Sequence, residues 1–162
     1  MASDISPTTG EVFYSGTYQA IIEVLRVLDI GEGKMSKVTQ PMINHYQEIT
    51  DRQVDAILSE VCQTPLRAMN QVQPSGLTKR VLPGDVVWAA RYWTAGELLL
   101  AEFQQLEQNL TEQITIMVND AKQSVYAMTK PTHRVPGQRR KSNLSRTMPP
   151  NLQPPAYLEP PV

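Results

Sequence analysis

Few residues of this 162-residue chain have the types and spacing that enzyme chemistry requires. The two histidines, His45 and His133, lie far apart in the sequence and form no metal-ligand cluster with Cys62, the single cysteine. Neither a glycine-rich phosphate loop nor a nucleophile elbow is present. We therefore predict that the protein is not an enzyme, and that it holds no cofactor and no metal ion.

Two pairs of side chains nonetheless have a regular spacing. Asp51 and Asp55 are one helical turn apart, and carboxylates at this spacing usually form a solvated helix face. Trp88 and Trp93 are separated by a net rotation of about 140° around a helix, so they cannot stack on one face. We expect core packing to account for at least one tryptophan, and we expect a structural or surface role for His45.

The strongest chemical signal is the group of cations in "QRRKS", which contains Arg139, Arg140 and Lys141. Three adjacent positive charges suit a phosphate, an RNA or an acidic protein surface, and a solvated linker is the alternative interpretation. Tyr157 is the only Phe, Trp or Tyr after Lys130, so basic and aromatic residues do not alternate there. This lack argues against a tight binder of single-stranded nucleic acid.

These cations belong to a C-terminal segment whose composition differs from the rest of the chain. Residues 130–162, which we call the arm, contain eight of the thirteen prolines, six Lys or Arg residues and one acid, for a formal charge of +5. Residues 1–129 hold nine Lys or Arg residues and fifteen acids, for a formal charge of −6. Such an asymmetry is typical of an interaction tail.

Hydrophobic periodicity predicts the elements that must position these residues. The third predicted helix is apolar around much of its surface, which indicates burial on several sides. Residues 66–83 contain prolines, a glycine and polar residues, and we predict a long loop there. The four predicted helices are 17–28, with Thr17 as its cap; a run that begins at Gln40 or Pro41 and ends before Pro65; 84–106; and a run from Asn109 or Thr111 to Met128.

The sequence therefore predicts an all-α fold, a small bundle of about four helices with an extended N-terminal segment and a long extended C-terminal arm. The expected organisation is an extended segment at 1–16, a helical domain at 17–129 and the proline-rich basic arm at 130–162. No apolar run approaches the roughly 18 residues that span a bilayer, and the N-terminus lacks the pattern of a signal peptide. We expect a soluble protein that is made in the cytoplasm and does not contact a membrane.

Three stretches together resemble a known family. "MINHYQEITDRQVDAILSEVCQTPL" is similar to the first long helix of tailed-phage head–tail connector (adaptor) proteins, in which an apolar stripe and a run resembling "I-x-x-A-x-x-x-I-D-x-x-L" precede a terminal "x-P-L/V". "VLPGDVVWAARYWTAGELLLAEF" and "LTEQITIMVNDAKQSVYAM" resemble the second long helix and the amphipathic helix that ends the domain. Gln53 and Arg52 replace the small residues that are usual in the first pattern. The positions that match it are Ile49, Val54, Asp55, Leu58, Pro65 and Leu66.

The resemblance covers roughly residues 17–128 and implies a structural virion protein made in the host cytoplasm. Such adaptors form a homo-oligomeric ring, typically a dodecamer of twelve copies, in the neck at the head–tail interface. The ring lies beneath the portal protein and lines the DNA exit channel, where non-specific contact with genomic DNA is expected. A downstream neck or tail protein is the next partner, and terminal arms in the family commonly reach neighbouring subunits or rings.

The arm is thus expected to clamp a neighbouring subunit or ring. Proline restricts φ and lowers the entropy that a segment loses when it becomes ordered, so an extended arm can bind along a groove at reduced cost. The alternative is a small helical nucleic-acid-binding protein that uses the basic arm. The expected partner-binding residues are Arg139, Arg140, Lys141 and Arg146, which would meet acidic protein surface or DNA phosphate, and Pro149, Pro150, Pro154, Pro155, Tyr157 and Leu158, which would supply a hydrophobic grip.

Overall fold

The computed structural model describes residues 5–7, 12–60 and 84–130, and the backbone of two short strands between the last two ranges. The predicted all-α fold is confirmed, with four long helices and one additional single-turn helix in this part of the chain. The helices are α1 (Tyr18–Val27), α2 (Glu32–Met35), α3 (Gln40–Leu58), α4 (Gly84–Glu102) and α5 (Gln108–Ala127). Strands β1 (Gln71–Val72) and β2 (Thr78–Lys79) pair antiparallel within the segment that was predicted to be a loop.

Helix α4 lies at the centre of the bundle and contacts α1, α3 and α5. Its burial on several sides, predicted from its apolar composition, is confirmed by buried positions all around its axis. The two tryptophans of α4 lie in different environments, as their spacing predicts. Trp93 is only 2% exposed and belongs to the core, whereas Trp88 is 54% exposed.

Helices α4 and α5 approach each other closely at Gly96. A Cβ atom at this position would overlap Cγ2 of Val118, and it would lie 3.3 Å from Cε of Met117 and 3.4 Å from Cγ2 of Ile114. Only glycine therefore allows this separation of the two helices. The predicted apolar stripe of α5 is confirmed, and its buried residues are Ile114, Val118, Ala121 and Val125.

Helix α3 begins close to the predicted position and is capped by a residue that precedes it. Thr39 is its N-cap, and the threonine hydroxyl accepts a hydrogen bond from the backbone N–H of Met42 at 3.4 Å. Pro41 occupies the first turn, where its missing N–H has no helical partner to lose. Thr17, in contrast, stands at the N-cap of α1 without a side-chain capping bond.

Residues 12–16 pack into the core, although the sequence indicated only an extended polar segment there. Phe13 and Tyr14 are fully buried, and a turn is closed by a hydrogen bond from the N–H of Gly16 to the carbonyl of Phe13 at 3.2 Å. At the start of this segment, Val12 forms an antiparallel bridge with Ile5, which lies earlier in the chain. The two aromatic side chains enlarge the core of the helical bundle, so this segment and the helices form one packing unit.

The expectation that Asp51 and Asp55 form a solvated helix face is wrong for Asp51, which is fully buried. One Asp51 carboxylate oxygen, Oδ2, accepts a hydrogen bond from the backbone N–H of Tyr14 at 3.3 Å. The Tyr14 hydroxyl donates to Oδ1 of Asp55, one turn later on α3. Residues 12–16 therefore cover the face of α3 that carries both carboxylates and replace the water that was expected there.

Further polar contacts fasten the same segment to α3 and α4. Gln47 of α3 is fully buried, and its Nε2 donates to Oγ of Ser15 at 2.7 Å and to the carbonyl of Gly16 at 2.9 Å. From the other side, Nε of Arg91 donates to the Ser15 carbonyl at 2.8 Å. Buried polar groups are stable only when they are hydrogen-bonded, so these bonds fix the position of the segment.

A tyrosine on α3 joins that helix to the end of α4. The Tyr46 hydroxyl donates to Oε1 of Glu102 at 2.8 Å. Burial raises the pKa of Tyr46, and the hydrogen bond to Glu102 and the negative charges of Glu102 and Glu97 raise it further, to about 12. All of these effects favour the neutral phenol over the phenolate.

We predict that Tyr46 ionises near pH 12 and that its hydrogen bond to Glu102 is lost only in strong base. The folded-state pKa lies above the ordinary value of 10.0, so the contribution to stability is complete below pH 10 and is lost as the pH rises towards 12. Ultraviolet absorbance of the phenolate, compared between the parent chain and Tyr46→Phe, measures this transition. Glu102→Gln removes the charge but not the burial and should lower the Tyr46 pKa; an unchanged pKa would contradict the assigned causes.

Candidate interaction surface

The partner-binding residues predicted from the sequence lie in the arm, outside the described residues. They are Arg139, Arg140, Lys141, Arg146, Pro149, Pro150, Pro154, Pro155, Tyr157 and Leu158. Their roles therefore stay predictions. The described chain does reach the base of the arm, because the backbone N–H groups of Thr129 and Lys130 still bond the carbonyls of Tyr126 and Ala127 in the last turn after α5.

An open groove of about 700 Å³ runs between α4 and α5. We call it the α4–α5 groove and define it by Trp88 and Tyr92 of α4, by Ile116 and Met117 of α5, and by Ala127 and Met128 where α5 ends. The groove has room for an extended peptide or for several side chains of a partner. The end of the groove that is lined by Ala127 and Met128 lies next to the start of the arm at Lys130.

The α4 side of the groove is formed by a stacked aromatic pair. The rings of Trp88 and Tyr92, one helical turn apart, have centroids 5.8 Å apart and planes inclined by 22°. The Arg91 guanidinium lies 5.2 Å from the Trp88 ring centroid, and the hydrogen bond of Arg91 to Ser15 holds it there. These contacts orient Trp88, so the groove presents a preformed aromatic surface.

Large apolar side chains in the groove remain open to solvent. Trp88 is 54% exposed, and Ile116 on the opposite wall is 61% exposed. Single exposed apolar residues are ordinary, but a contiguous apolar groove that contains an aromatic pair is typical of an interaction site. Binding of a partner would remove this surface from water at about 25 cal/mol per Å² of apolar area.

The charged residues that line the groove are acidic. Asp85 lies in the first turn of α4 and Asp120 on α5, and no Lys or Arg is found among the described lining residues. The lining of the groove therefore combines apolar side chains with two carboxylates, and the Arg91 guanidinium lies beside it against the Trp88 ring. A partner segment that is apolar and positively charged would fit both properties.

A smaller depression of about 330 Å³ lies between α3 and α5. Lys122 lies on its edge, with its Nζ 5.3 Å from the Trp93 ring centroid and 3.3 Å from Oε1 of Glu97. This cation and its partner belong to the packing of the bundle. The α4–α5 groove is thus the larger and more apolar of the two surfaces.

The expectations that the protein is not an enzyme and holds no metal ion stay predictions. Within residues 5–7, 12–60 and 84–130, no three His, Cys, Asp or Glu side chains are grouped so that they could hold a metal ion. His45 is exposed on α3 and meets the Tyr46 ring edge-on, with centroids 5.3 Å apart. Among the same residues, no helix has the length and apolarity needed to cross a membrane.

The groove was not predicted from the sequence, although one of its residues carried a usable signal. Ile116 is apolar but lies off the stripe formed by Ile114, Val118 and Ala121, so a helix with a single buried face must expose it. Trp88 gave no such signal, because α4 is apolar on most sides. No family model, no curated protein and no solved structure matches the chain.

Proposed function

We propose that the protein is a structural adaptor that acts by protein–protein recognition, joining head to tail in the virion of a tailed phage. In this proposal, copies form a ring of about twelve subunits below the portal protein, and the arm clamps a neighbouring subunit or ring. The resemblance of residues 17–128 to head–tail connectors motivates the assignment.

The single observation that carries the proposal is the α4–α5 groove at the base of the arm. The core already contains Trp93, whereas Trp88, which stacks on the partly buried Tyr92, keeps 54% of its surface exposed. Solvent-exposed aromatic residues that are held rigidly lose little conformational entropy on binding. The groove therefore supports a function in assembly.

The arm supplies the second half of the proposed mechanism. Its proline content restricts the backbone and its formal charge of +5 attracts acidic surfaces. On this basis the portal protein and a downstream neck or tail protein are the proposed partners, and DNA in the channel is a non-specific one. The proposed location is the neck of the virion.

We predict that the purified full-length protein is mostly monomeric at low concentration and forms rings at high concentration or on a portal. The reason is that a small domain docking through the α4–α5 groove and its arm gains enough contact area only when several copies or a portal are present. Mass photometry gives the oligomeric state, and electron microscopy of the protein alone and mixed with a candidate portal shows the rings. A stable dimer under all conditions, with no binding to the portal, would contradict the proposal.

A second candidate function is nucleic-acid binding, which the positive charge of the arm favours. Its signature would be an affinity for free DNA that falls steeply with salt, with a slope of about −0.9 in log K against log salt for each phosphate contacted. Such binding by the monomer, without any ring or portal dependence, would favour this function over the adaptor.

A further inference from the structure

We propose that the α4–α5 groove of one copy receives residues 131–162 of the proline-rich arm of a neighbouring copy. The inference rests on the proposed function in one respect, namely that copies of the chain lie side by side. It goes further by naming both halves of the contact, the groove and its occupant.

The chemistry of the groove suits a proline-rich segment. Proline-rich peptides dock into grooves lined by aromatic side chains, because their extended helix is preformed and packs its rings against flat aromatic faces. The stacked rings of Trp88 and Tyr92 provide such a surface. The arm contains three Pro-Pro pairs, at 149–150, 154–155 and 160–161.

The charges of the groove and the arm are complementary. Asp85 and Asp120 line the groove, and no Lys or Arg does so among the described residues. Residues 131–162 carry five Lys or Arg residues and one acid, for a formal charge of +4. Both carboxylates are exposed, so they would attract a positively charged segment rather than require one for burial.

The length of the arm allows it to reach the groove of a neighbour. Residues 131–162 span up to about 100 Å in a polyproline conformation, whereas the 19-residue α4 beside the groove is only about 28 Å long. The groove is lined by α5 residues from Gln113 onwards and by Met128, which lies just before the arm begins at Lys130. An extended arm is therefore long enough to reach the groove of the next copy.

Photo-cross-linking of the full-length chain tests this contact. A benzophenone analogue of phenylalanine replaces Ile116, which is 61% exposed in the groove. Chains with this probe and ordinary isotopes are mixed at high concentration with an equal amount of heavy-isotope chains that lack the probe. Irradiation and mass spectrometry should then find heavy peptides from residues 131–162 attached at position 116 as often as light ones.

The control places the same probe at Val27, which is 81% exposed on α1 and lies outside the groove. This site should capture arm peptides at least several-fold less often than position 116. Cross-links from position 116 that join only light arms to light grooves would overturn the proposal, because the arm would then occupy its own groove. Capture of any other segment, or equal capture at both sites, would also overturn it.

Variants of the groove identify which contacts hold the arm. Tyr92→Ala and Trp88→Ala, combined in the chain with the probe at position 116, should lower the yield of arm cross-links several-fold. Asp85→Asn with Asp120→Asn should lower it more at low salt than at high salt, because exposed charges act over longer distances there. Circular dichroism confirms that each variant is folded. An unchanged yield of arm cross-links in both the aromatic variants and the aspartate variants would overturn the proposal.

The failure of this inference can be told apart from the failure of the proposed function. If rings form on a portal but no arm cross-links appear at position 116, the adaptor function is supported and the groove is ruled out as the binding site of the arm. If copies cross-link to each other but do not bind a portal, the arm–groove contact is supported and the adaptor function is contradicted.

Discussion

Trp93→Ala should destabilise the domain by about 3–5 kcal/mol, the usual cost of truncating a large buried aromatic residue. Trp93 is 2% exposed in the middle of α4, and its indole N–H has no hydrogen-bond partner there. The substitution removes packing, apolar burial and the contact of Lys122 with the indole ring, but it breaks no hydrogen bond of the indole N–H. Chemical denaturation of the full-length parent and variant, followed by circular dichroism, measures the difference in the free energy of unfolding.

Trp88→Ala is the matched control, since the same side chain is removed from the same helix. Trp88 is 54% exposed and contacts Tyr92 and Arg91, so the expected loss of stability is about 1 kcal/mol or less. This variant should instead weaken association between copies. Equal losses of stability at both positions would show that the assignment of one tryptophan to the core and one to a binding surface is wrong.

If the proposed adaptor function is right, deletion of residues 131–162 should prevent stable incorporation into the neck while leaving the isolated domain almost unchanged. A segment so rich in proline and polar residues can add little to a core, so helical content and thermal midpoint should stay nearly constant. Ordering along a partner is the use that its composition favours. Circular dichroism measures the domain, and neck occupancy in assembled particles measures the incorporation.

Smaller changes separate the two properties of the arm. Neutralising Arg139, Arg140 and Lys141 together should weaken docking in part, and more visibly at low salt. Truncation from Asn151 removes the later prolines, Tyr157 and Leu158, but keeps most of the charge. Normal neck occupancy after the full deletion would refute the clamp, and a collapse of the thermal midpoint would show that the arm packs on its own domain.

The helices were predictable because their signals are local. Apolar residues at spacings of three and four placed α1 and α5 near their observed bounds and gave the starts of α3 and α4, since this periodicity is a property of each segment alone. The ends of two helices were predicted too late, because α3 ends at Leu58 rather than just before Pro65 and α4 ends at Glu102 rather than at Leu106. The single turn of α2 was missed because its four residues are too few to show a period. The choice between Ile49 and Thr50 was left open, and the structure buries Thr50 and leaves Ile49 only partly covered.

The sequence by itself determined the all-α fold, the separation of Trp88 from Trp93 around one helix, and the contrast between an acidic body and a basic, proline-rich arm. Each of these follows from residue order or composition. Only the tertiary structure decided that Asp51 is buried, because the residue that covers it, Tyr14, lies 37 positions earlier in the chain. It likewise decided which tryptophan enters the core and that a groove opens beside the other, since both depend on how α5 packs against α4 where Gly96 lets them meet.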